Sequence, residues 1–323
     1  MGRDVHKFYD FCIPIFEKTK KSICFIKTLS AVNRSNNRFF NYILLFIDIF
    51  YIPIFSYFNY RKDYFFIREF NTVTFVFSAL IMFPLRKRVI LNVNHNFQKA
   101  TTSKLKLYSL KIIDFLGYRY FCFEAGFSPI AFDLPVLSVP FLIPQNSIKL
   151  RSKDFGKLKV GFVGAYRKEK KIEDILIELD TVYSDVDVIP ILGTNSVELL
   201  HDYEKRGWTT YNTSNCKMYE KAMNEIDILI LNYNQDDYYY RHSGVLTDAI
   251  ANQKFVIIPD YPYFKTQIST PCSVGLTYKT LKEINILILE AKEIIRNNKI
   301  NYSKYCKMRS EENIVKAFDN ILE

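Results

Sequence analysis

The sequence LKVGFVGAYRKEKKI, at positions 158–172, decides the fold of the second half of the chain. Its apolar run from Leu158 to Val163 predicts a buried strand, and an apolar helical pattern begins at Ile172. Gly164 lies in the turn between them, where a residue without a β-carbon lets a ligand approach the backbone. This order of strand, glycine turn and helix is typical of α/β domains that bind a ligand at the strand end.

The turn after Gly164 is strongly basic. Arg167 offers a planar guanidinium, Lys170 and Lys171 offer point charges, and the following helix presents unpaired backbone N–H groups to an anion. The turn therefore predicts a diphosphate site made of Gly164, Arg167, Lys170 and Lys171. Its spacing matches neither a dinucleotide G-x-G-x-x-G fingerprint nor a Walker loop, and an ordinary strand–helix connection also accounts for it.

A second stretch, YYRHSGVLTDAIANQKFVIIP at 239–259, has a related arrangement. It follows IDILIL (226–231), a predicted buried strand, and a helix is expected to begin at Ser243 and Gly244. Two helix N-termini at the carboxyl ends of parallel strands favour a phosphate site. Asp248, one turn into the helix, is placed to accept hydrogen bonds from ribose hydroxyls. The helix dipole also stabilises an acid at such a position without any ligand.

Short apolar runs alternate with helical patterns along the chain, which indicates parallel sheets covered by helices on both faces. We therefore predict an α/β protein with two Rossmann-like domains in tandem. The predicted strands lie at 22–26, 64–67, 88–93, 118–123, 158–163, 186–192, 208–211, 226–231 and 255–258. The predicted helices lie at 36–57, 73–83, 104–116, 172–182, 197–205, 218–224, 243–252, 281–296 and 313–322.

The two halves of the chain differ in charge. A polar basic stretch without apolar periodicity predicts a linker at 147–157, between domains at 1–146 and 158–323. The formal net charge is +10; residues 1–150 contain 20 basic and 9 acidic side chains, whereas residues 151–323 contain 24 and 25. The positive excess therefore belongs to the N-terminal half, and it favours an anionic partner, either a nucleic acid or an anionic lipid surface.

One apolar segment, FFNYILLFIDIFYIPIFSYF at 39–58, is close to the ~20 residues that a membrane span requires. Asn41, Asp48 and Pro53 oppose a span, since a single central carboxylate costs about 2.5–3.5 kcal/mol on insertion. Basic residues flank the segment on both sides. We expect a helix of a soluble domain whose exposed face touches the bilayer surface, with a true span as the alternative.

The N-terminal half offers two candidate catalytic side chains. His95 lies between Asn94 and Asn96 in a predicted loop after the strand at 88–93. A histidine at a strand end can orient or deprotonate a hydroxyl group, or bind a sugar, although a loop histidine bonded to its own backbone is equally compatible. Glu124 ends the next predicted strand and is the second candidate.

The six cysteines are scattered, with no CxxC and no short metal-ligand spacing. We expect reduced cysteines in the cores and no metal site. Asp236 and Asp237 resemble a metal-binding pair, but we interpret them as solvated loop residues. The first residues, MGRDVH, lack the apolar core of a signal peptide, which favours a cytoplasmic protein.

Residues 158–322 resemble the C-terminal, donor-nucleotide domain of the GT-B glycosyltransferases, nearest to the large retaining group called family 4. That family has a glycine followed by basic residues after its first strand, as at Gly164. It has an acidic residue before an apolar strand, matched by EIDILIL at 225–231. It also has an acid in the next helix, matched by Asp248, which is shorter by one methylene.

Two positions depart from the family pattern. The first acid of the family's acidic pair maps to Tyr240 and is missing, and Ser243 stands at the usual glycine position with Gly244 beside it. The sequence at 274–278 is similar to the family's later return to the sheet. The last helix, at 311–322, would be the element that crosses back towards the first domain.

The resemblance implies a nucleotide site in the interdomain cleft, mainly within residues 160–260. The diphosphate would bind the basic turn and the helix start Ser243, Gly244 and Val245, and Asp248 would bind the ribose. The implied cleft also contains the polar side chains Asn94, Asn96, Arg241 and His242.

The resemblance also implies sugar transfer from a nucleoside diphosphate sugar to a glycan or lipid-linked acceptor, without a metal or other cofactor. An inverting reaction needs a base, for which His95 is the candidate; in a retaining reaction the donor phosphate itself accepts the proton. A basic half with exposed apolar helices suits an acceptor at the inner leaflet, as in lipopolysaccharide or capsule synthesis, and an enzyme peripheral to the membrane.

Two alternatives remain open from the sequence. A GT-B nucleotide-sugar 2-epimerase would need several carboxylates in the cleft, and residues 1–150 contain only nine acidic side chains. A nucleic-acid-binding protein would fit the positive charge, but the basic residues are dispersed among apolar runs rather than gathered in one stripe with stacking aromatics.

Overall fold

The computed structural model describes residues 15–33, 35–124, 133–143, 157–167, 170–183, 185–241, 243–297 and 299–323. The chain divides into two compact units. The first comprises Met1–Leu142 with Glu311–Glu323, and the second comprises Ile143–Ser310. The predicted linker at 147–157 falls outside the described residues except for its last position.

The described part of the first unit contains a five-stranded parallel sheet. Its strands are β1 (Ile23–Ile26), β2 (Tyr64–Ile67), β3 (Val89–Asn92), β4 (Arg119–Phe123) and β5 (Val136–Val139). Each strand pairs in parallel with the next one along the chain, so the strands lie in sequence order. The three central strands are buried almost throughout, as expected of a parallel sheet that is covered on both faces.

Helices between the strands cover one face of this sheet. They are α1 (Leu29–Val32), α2 (Arg38–Phe58), α3 (Thr72–Ile81), α4 (Asn94–Ala100) and α5 (Lys104–Phe115). Helix α2 packs on α3, and α3 packs on α5. The Tyr120 hydroxyl of β4 donates a hydrogen bond to the Leu110 carbonyl of α5 over 2.5 Å, which ties this layer to the sheet.

The C-terminal helix, Glu311–Leu322, covers the opposite face. Its Phe318 ring stacks on Phe121 of β4 with 5.2 Å between the ring centroids. The Tyr64 hydroxyl of β2 donates to the carbonyl of Leu322 at the end of the helix. This twelve-residue helix therefore completes the core of the first unit, although it is far in sequence from the rest of that unit.

The second unit contains a six-stranded parallel sheet in its described residues. Its strands are β6 (Lys159–Val163), β7 (Ile189–Thr194), β8 (Thr209–Asn212), β9 (Ile228–Ile230), β10 (Phe255–Pro259) and β11 (Gly275–Tyr278). The strand order is β8-β7-β6-β9-β10-β11, so the chain runs outward from β6 and then returns to place β9 on its other side. This is the order of a doubly wound Rossmann domain.

The helices of the second unit lie between these strands or follow the last of them. They are α6 (Ile172–Val182), α7 (Val197–Lys205), α8 (Cys216–Glu225), α9 (Gln235–Tyr238), α10 (Gly244–Ala251), α11 (Pro262–Ser269), α12 (Ile284–Arg296) and α13 (Tyr302–Met308). Side-chain oxygens of serine or asparagine cap several of them, because these residues accept hydrogen bonds from otherwise unpaired N–H groups. The capping residues are Ser196, Asn215, Asn234, Ser243 and Asn301.

Every strand and helix predicted from the sequence is present, with ends that differ by no more than three residues. The structure adds short elements that the apolar periodicity did not predict, among them α4, β5, α11 and β11. Strand β5 has only four residues, and β11 begins with a glycine. Helix α11 begins with Pro262, which is favoured at a first helical position but reads as a loop signal in the sequence.

Candidate functional site

The strand order of the second sheet reverses between β6 and β9. In open α/β sheets, ligands bind outside the carboxyl ends of the strands at such a point, because the connections leave in opposite directions there and open a crevice. The two stretches that the sequence singles out follow β6 and β9 respectively. The fold of the second unit therefore brings them to one edge.

Gly164 is the point at which these stretches meet. A β-carbon built on Gly164 would lie 3.3 Å from the Nζ atom of Lys170 and 3.5 Å from the Cγ2 atom of Val245. The Lys170 ammonium donates to the Ala165 carbonyl over 3.0 Å, and its side chain is buried. The glycine turn, a buried cation and the start of α10 thus converge at this edge, and the diphosphate site stays a prediction.

The N-terminus of α6 opens at this edge. Lys171 precedes the helix with φ of +41°, in the left-handed region, and its side chain does not cap the helix. The side-chain amide Nδ2 of Asn232, just after β9, donates to the Lys171 carbonyl over 3.2 Å and fixes this turn. The Tyr278 hydroxyl lies 3.0 Å from the Asn232 amide oxygen and holds that side chain in place. A helix N-terminus without a side-chain cap favours an anion.

Arg167 is exposed in the same turn. It lies close enough to Tyr233 for its charge to act on that phenol: burial raises the pKa of Tyr233, and the Arg167 charge opposes the rise. The Tyr233 hydroxyl lies 2.5 Å from the Ser243 hydroxyl. The Arg167 charge therefore acts on a buried tyrosine that contacts the start of α10.

Helix α10 starts with a capped but sterically open turn. Ser243 accepts a hydrogen bond from the Leu246 amide over 3.3 Å. Gly244 follows, and a β-carbon built there would meet no atom within 4 Å. The surface in front of Gly244 therefore has room for a group that approaches the helix N-terminus.

Asp248 has a partner that sequence reasoning missed. The Tyr219 hydroxyl of α8 donates to the Asp248 carboxylate over 2.9 Å. Burial raises the pKa of Tyr219, and the neighbouring Asp248 charge raises it further, so Tyr219 stays a hydrogen-bond donor at neutral pH. Tyr219 and Asp248 lie 29 positions apart in different helices, and the sequence pattern contained no signal for their contact.

In the first unit, the predicted loop around His95 is wrong, because residues 94–100 form helix α4. The Phe97 amide donates to the Val93 carbonyl over 2.8 Å, so the helix begins directly after β3. His95 is exposed in its first turn, whereas Asn96 is buried. His95 keeps its place at the carboxyl edge of the sheet, but on a helix rather than on a loop.

Glu124 lies at the same edge, at the end of the neighbouring strand β4, with φ of +57°. Its Oε1 atom accepts a hydrogen bond from the Phe141 amide over 2.8 Å, and its own amide donates to the Val139 carbonyl over 2.9 Å. Glu124 therefore holds the chain beyond β5 against β4. Nearby in β3, the buried Asn92 side-chain oxygen has no hydrogen-bond partner among the described residues.

The remaining predicted site residues are distributed as follows. Arg241 donates to the Asp237 carbonyl over 3.3 Å, and its guanidinium lies 4.9 Å from the centre of the Tyr238 ring. His242 and the side chain of Asn94 lie outside the described part of the chain.

The acidic pair Asp236 and Asp237 belongs to the short helix α9, where Asn234 accepts from the Asp236 amide and donates to the Asp237 carboxylate. Within the described ranges, no three His, Cys, Asp or Glu side chains lie close enough together to hold a metal ion. The pair therefore serves the local structure of α9.

Solved structures share this fold over most of the chain. HepE (Alr3699) of Anabaena in complex with UDP is 12% identical, with a TM-score of 0.60 over 85% of this chain and 80% of HepE. HepE in complex with UDP-glucose matches over the same shares with a TM-score of 0.57. The apo form of WaaB, a lipopolysaccharide outer core galactosyltransferase, is 13% identical, with a TM-score of 0.54 over 88% of this chain and 81% of WaaB.

At these identities the likeness concerns the fold. It confirms the predicted fold class, α/β with two Rossmann-like domains, and it confirms the resemblance to GT-B glycosyltransferases at the level of architecture. No protein-family model matches the chain, and no curated protein matches its sequence.

Proposed function

We propose that the protein is a glycosyltransferase that takes its sugar from a nucleoside diphosphate sugar. The observation that carries this proposal is the convergence of Gly164, Lys170 and Val245 at the β6–β9 edge, beside the N-termini of α6 and α10. Helix N-termini and a buried ammonium group together favour a diphosphate. The structural likeness to HepE, which is bound to UDP in one structure and to UDP-glucose in another, supports the same donor class.

In the proposed reaction, the bond between the anomeric carbon and the β-phosphate oxygen breaks while an acceptor hydroxyl oxygen bonds to that carbon. Negative charge grows on the departing diphosphate, and Arg167, Lys170 and the two helix N-termini stabilise it. The acceptor proton goes to a base in an inverting reaction, for which His95 is the proposed residue, or to the departing phosphate in a retaining one. We propose that no metal or other cofactor takes part.

Asp248 is proposed to bind the ribose of the donor. A carboxylate accepts hydrogen bonds from both ribose hydroxyls, and the Tyr219 hydroxyl, 2.9 Å away, sets its orientation.

The proposed acceptor is a glycan or lipid-linked molecule of bacterial surface polysaccharide synthesis, and the proposed location is the inner face of the cell membrane. Two observations support this. Residues 1–150 carry the whole positive excess of the chain, which favours an acceptor or surface with phosphate groups. The structural likeness to WaaB, a lipopolysaccharide galactosyltransferase, points to the same class of pathway.

A thermal-shift screen over nucleoside diphosphates and their sugar derivatives tests the proposed function. At least one nucleoside diphosphate is expected to raise the melting temperature, since a ligand that binds only the folded state stabilises it. Arg167→Ala should remove most of that rise. Arg206→Ala is the matched control, because Arg206 is an exposed arginine of the same unit that pairs with Asp180. If no nucleoside diphosphate stabilises the protein, the proposal is wrong.

A further inference from the structure

An apolar surface covers the outer side of the first unit, on helices α2, α3 and α5. We call it the three-helix surface and define it by Phe46, Phe50, Phe77, Leu80, Leu105 and Tyr108, all of which are exposed. Aromatic side chains at the helix ends extend it: Phe58 is 84% exposed and Phe115 is 89% exposed. Soluble proteins rarely expose a contiguous apolar area of this kind unless it meets a membrane or a partner.

The three helices form one continuous layer. The Tyr57 hydroxyl of α2 donates to the Ile81 carbonyl of α3 over 2.9 Å, and both side chains are exposed. The Ser78 hydroxyl of α3 donates to the Ile49 carbonyl of α2 over 3.1 Å. Helix α3 also packs on α5. The exposed apolar side chains are therefore neighbours on one surface rather than isolated residues.

Helix α2 has two different faces. Leu44, Asp48, Ile52 and Ser56 recur every four residues and are buried, while the opposite side is exposed and apolar. Asp48 accepts a hydrogen bond from the Leu29 amide over 2.7 Å and so caps α1.

Among the described residues, α2 is the one helix that is long and apolar enough, by length and composition, to cross a membrane. Its buried stripe and the satisfied Asp48 instead make it a helix that lies on the unit with one face outward. A helix of this kind binds in the plane of an interface.

Cations border the three-helix surface at both ends of its helices. Arg38 and Lys104 begin α2 and α5, and Arg61, Lys62 and Lys87 follow the ends of α2 and α3; all five are exposed.

The three helices contain two carboxylates, and neither belongs to the outer face. Asp48 is 3% exposed, and Asp114 is half-buried, where burial raises its pKa. Beyond the helix ends, the exposed Asp63 follows Lys62, so the rim is mainly rather than purely cationic around an apolar centre.

We propose that the three-helix surface docks on an anionic lipid bilayer, with α2, α3 and α5 in the plane of the interface and the cations against lipid phosphates. The apolar centre enters the acyl boundary, and each cation at the rim gains from the negative surface potential. A second copy of the chain fits less well, because a symmetric contact through this surface brings cationic rims together. This inference rests on the membrane location in the proposed function and assigns that location to the three-helix surface. The surface is independent of the donor site.

Flotation of the full chain with vesicles tests this inference. The vesicles are phosphatidylcholine alone, or phosphatidylcholine with a third of phosphatidylglycerol. We expect flotation with the anionic vesicles, weakening in 0.5 M salt. Replacing Arg61 or Lys62 by Gln should lower the partition coefficient about fivefold each.

The decisive variant replaces three outward side chains, Phe46, Phe77 and Tyr108, by Ser, and should lower the partition coefficient by more than tenfold. Its matched control replaces three apolar side chains of the second unit, Ile177, Val197 and Ile286, by Ser. The six side chains are similarly exposed, between 55% and 69%. The control should float as the unmodified chain does, and both variants should keep its melting temperature.

Three results would overturn the inference. The first is the absence of flotation with anionic vesicles. The second is equal flotation of the outward variant and the unmodified chain. The third is a stable dimer that the outward variant dissociates, which would assign the surface to self-association. The nucleotide screen needs no membrane, so failure of the donor site and failure of this surface are separate results.

Discussion

Gly244, at the start of α10, has open space where a β-carbon would lie. Gly244→Ala should therefore leave the fold intact or slightly stabilise it, since alanine favours the helical conformation. In the proposed site the added methyl group stands against the diphosphate and should weaken its binding about tenfold, equivalent to ~1.4 kcal/mol. Calorimetric titration with the nucleoside diphosphate and a thermal melt of the free protein check the two halves of this prediction.

Gly207 provides the control for that substitution. A β-carbon there also meets no atom within 4 Å, but φ is +85°, a conformation that residues with side chains rarely adopt. Gly207→Ala should cost about 1 kcal/mol of stability or more and leave nucleotide affinity unchanged. The prediction for Gly244 is contradicted if both alanine variants bind the nucleotide equally well.

Tyr219→Phe removes the hydroxyl that orients Asp248. We expect weaker donor binding, and a smaller preference for a ribonucleoside diphosphate over its 2′-deoxy analogue, because the ribose loses its oriented acceptor. Tyr118→Phe is the control, since it removes a comparable buried hydrogen bond, to the Ala79 carbonyl, in the first unit. Both variants should lose about 1 kcal/mol of stability. An unchanged ribose preference in Tyr219→Phe would exclude the positioning role.

At the level of single residues, sequence analysis could single out only the candidate site residues that belong to a recognisable local pattern. Gly164 and the basic residues after it belong to one strand–turn–helix connection, and this connection alone places them close together. The partners Tyr219 and Asn232 were not predictable in this way, because each contacts a residue of another connection. Such contacts depend on helix orientation and side-chain length. Neither of these produces a periodic pattern that can be recognised in a single sequence.

The C-terminal helix is an element whose place follows from packing rather than from sequence order. Its Phe318 is buried against Phe16, Phe121 and Phe123 of the first unit. Phe318→Ala should destabilise that unit by about 3–5 kcal/mol, the cost of lost burial and of the cavity left behind.

Unfolding followed by tyrosine fluorescence and circular dichroism checks this prediction. Phe318→Leu, which refills most of the volume, should recover the greater part of the loss. An alanine variant as stable as the unmodified protein would show that the helix is not part of this core.

Elements with a strong apolar period were predictable, whereas short ones were not. The helix at α6 was predicted to the residue, since its amphipathic pattern begins and ends sharply. Strand β5 escaped prediction because four residues between Pro135 and Pro140 carry too little period. Helix α4 was read as a loop, since its Asn-His-Asn start has low helix propensity. Its contacts with α5 and β4 nonetheless stabilise it.

For the whole molecule, three carboxylates with lowered pKa values predict how the stability depends on pH. Bonds from Ser22 lower the pKa of Asp63, the Lys159 ammonium lowers that of Glu225, and backbone N–H groups lower that of Glu283. Each folded pKa lies below the unfolded one. Their contribution to the free energy of unfolding is therefore complete when the pH is above the ordinary pKa values, 3.8 for Asp and 4.5 for Glu. This contribution is lost as the pH falls through the lowered pKa values of the folded state.

Thermal melts between pH 7 and pH 3 check this dependence. The melting temperature should be nearly constant in the upper part of the range and fall below about pH 4.5. Glu225→Gln should lower the stability at neutral pH and make the acid-induced loss smaller. A melting temperature that rises on acidification would contradict the sign of the argument.

The whole architecture was predictable in class but not in arrangement. Alternating strands and helices predicted two parallel sheets, and the charge difference between the halves predicted that the positive excess belongs to the N-terminal half. The strand order of each sheet, and the reversal between β6 and β9 that forms the candidate site, follow from how helices pack on the sheet faces. The three-helix surface likewise could not be predicted without knowing which side of α2 is buried.

The central claim is that the β6–β9 edge of the second unit binds the diphosphate of a sugar donor. Calorimetric titration of the full chain with one nucleoside and its mono- and diphosphates tests it most directly, with the base chosen by the thermal-shift screen. We predict that the diphosphate binds at least about tenfold more tightly than the monophosphate, and that Arg167→Ala and Lys170→Met each remove most of that gain. Equal affinity for the two phosphates, or an undiminished gain in both variants, would contradict the claim.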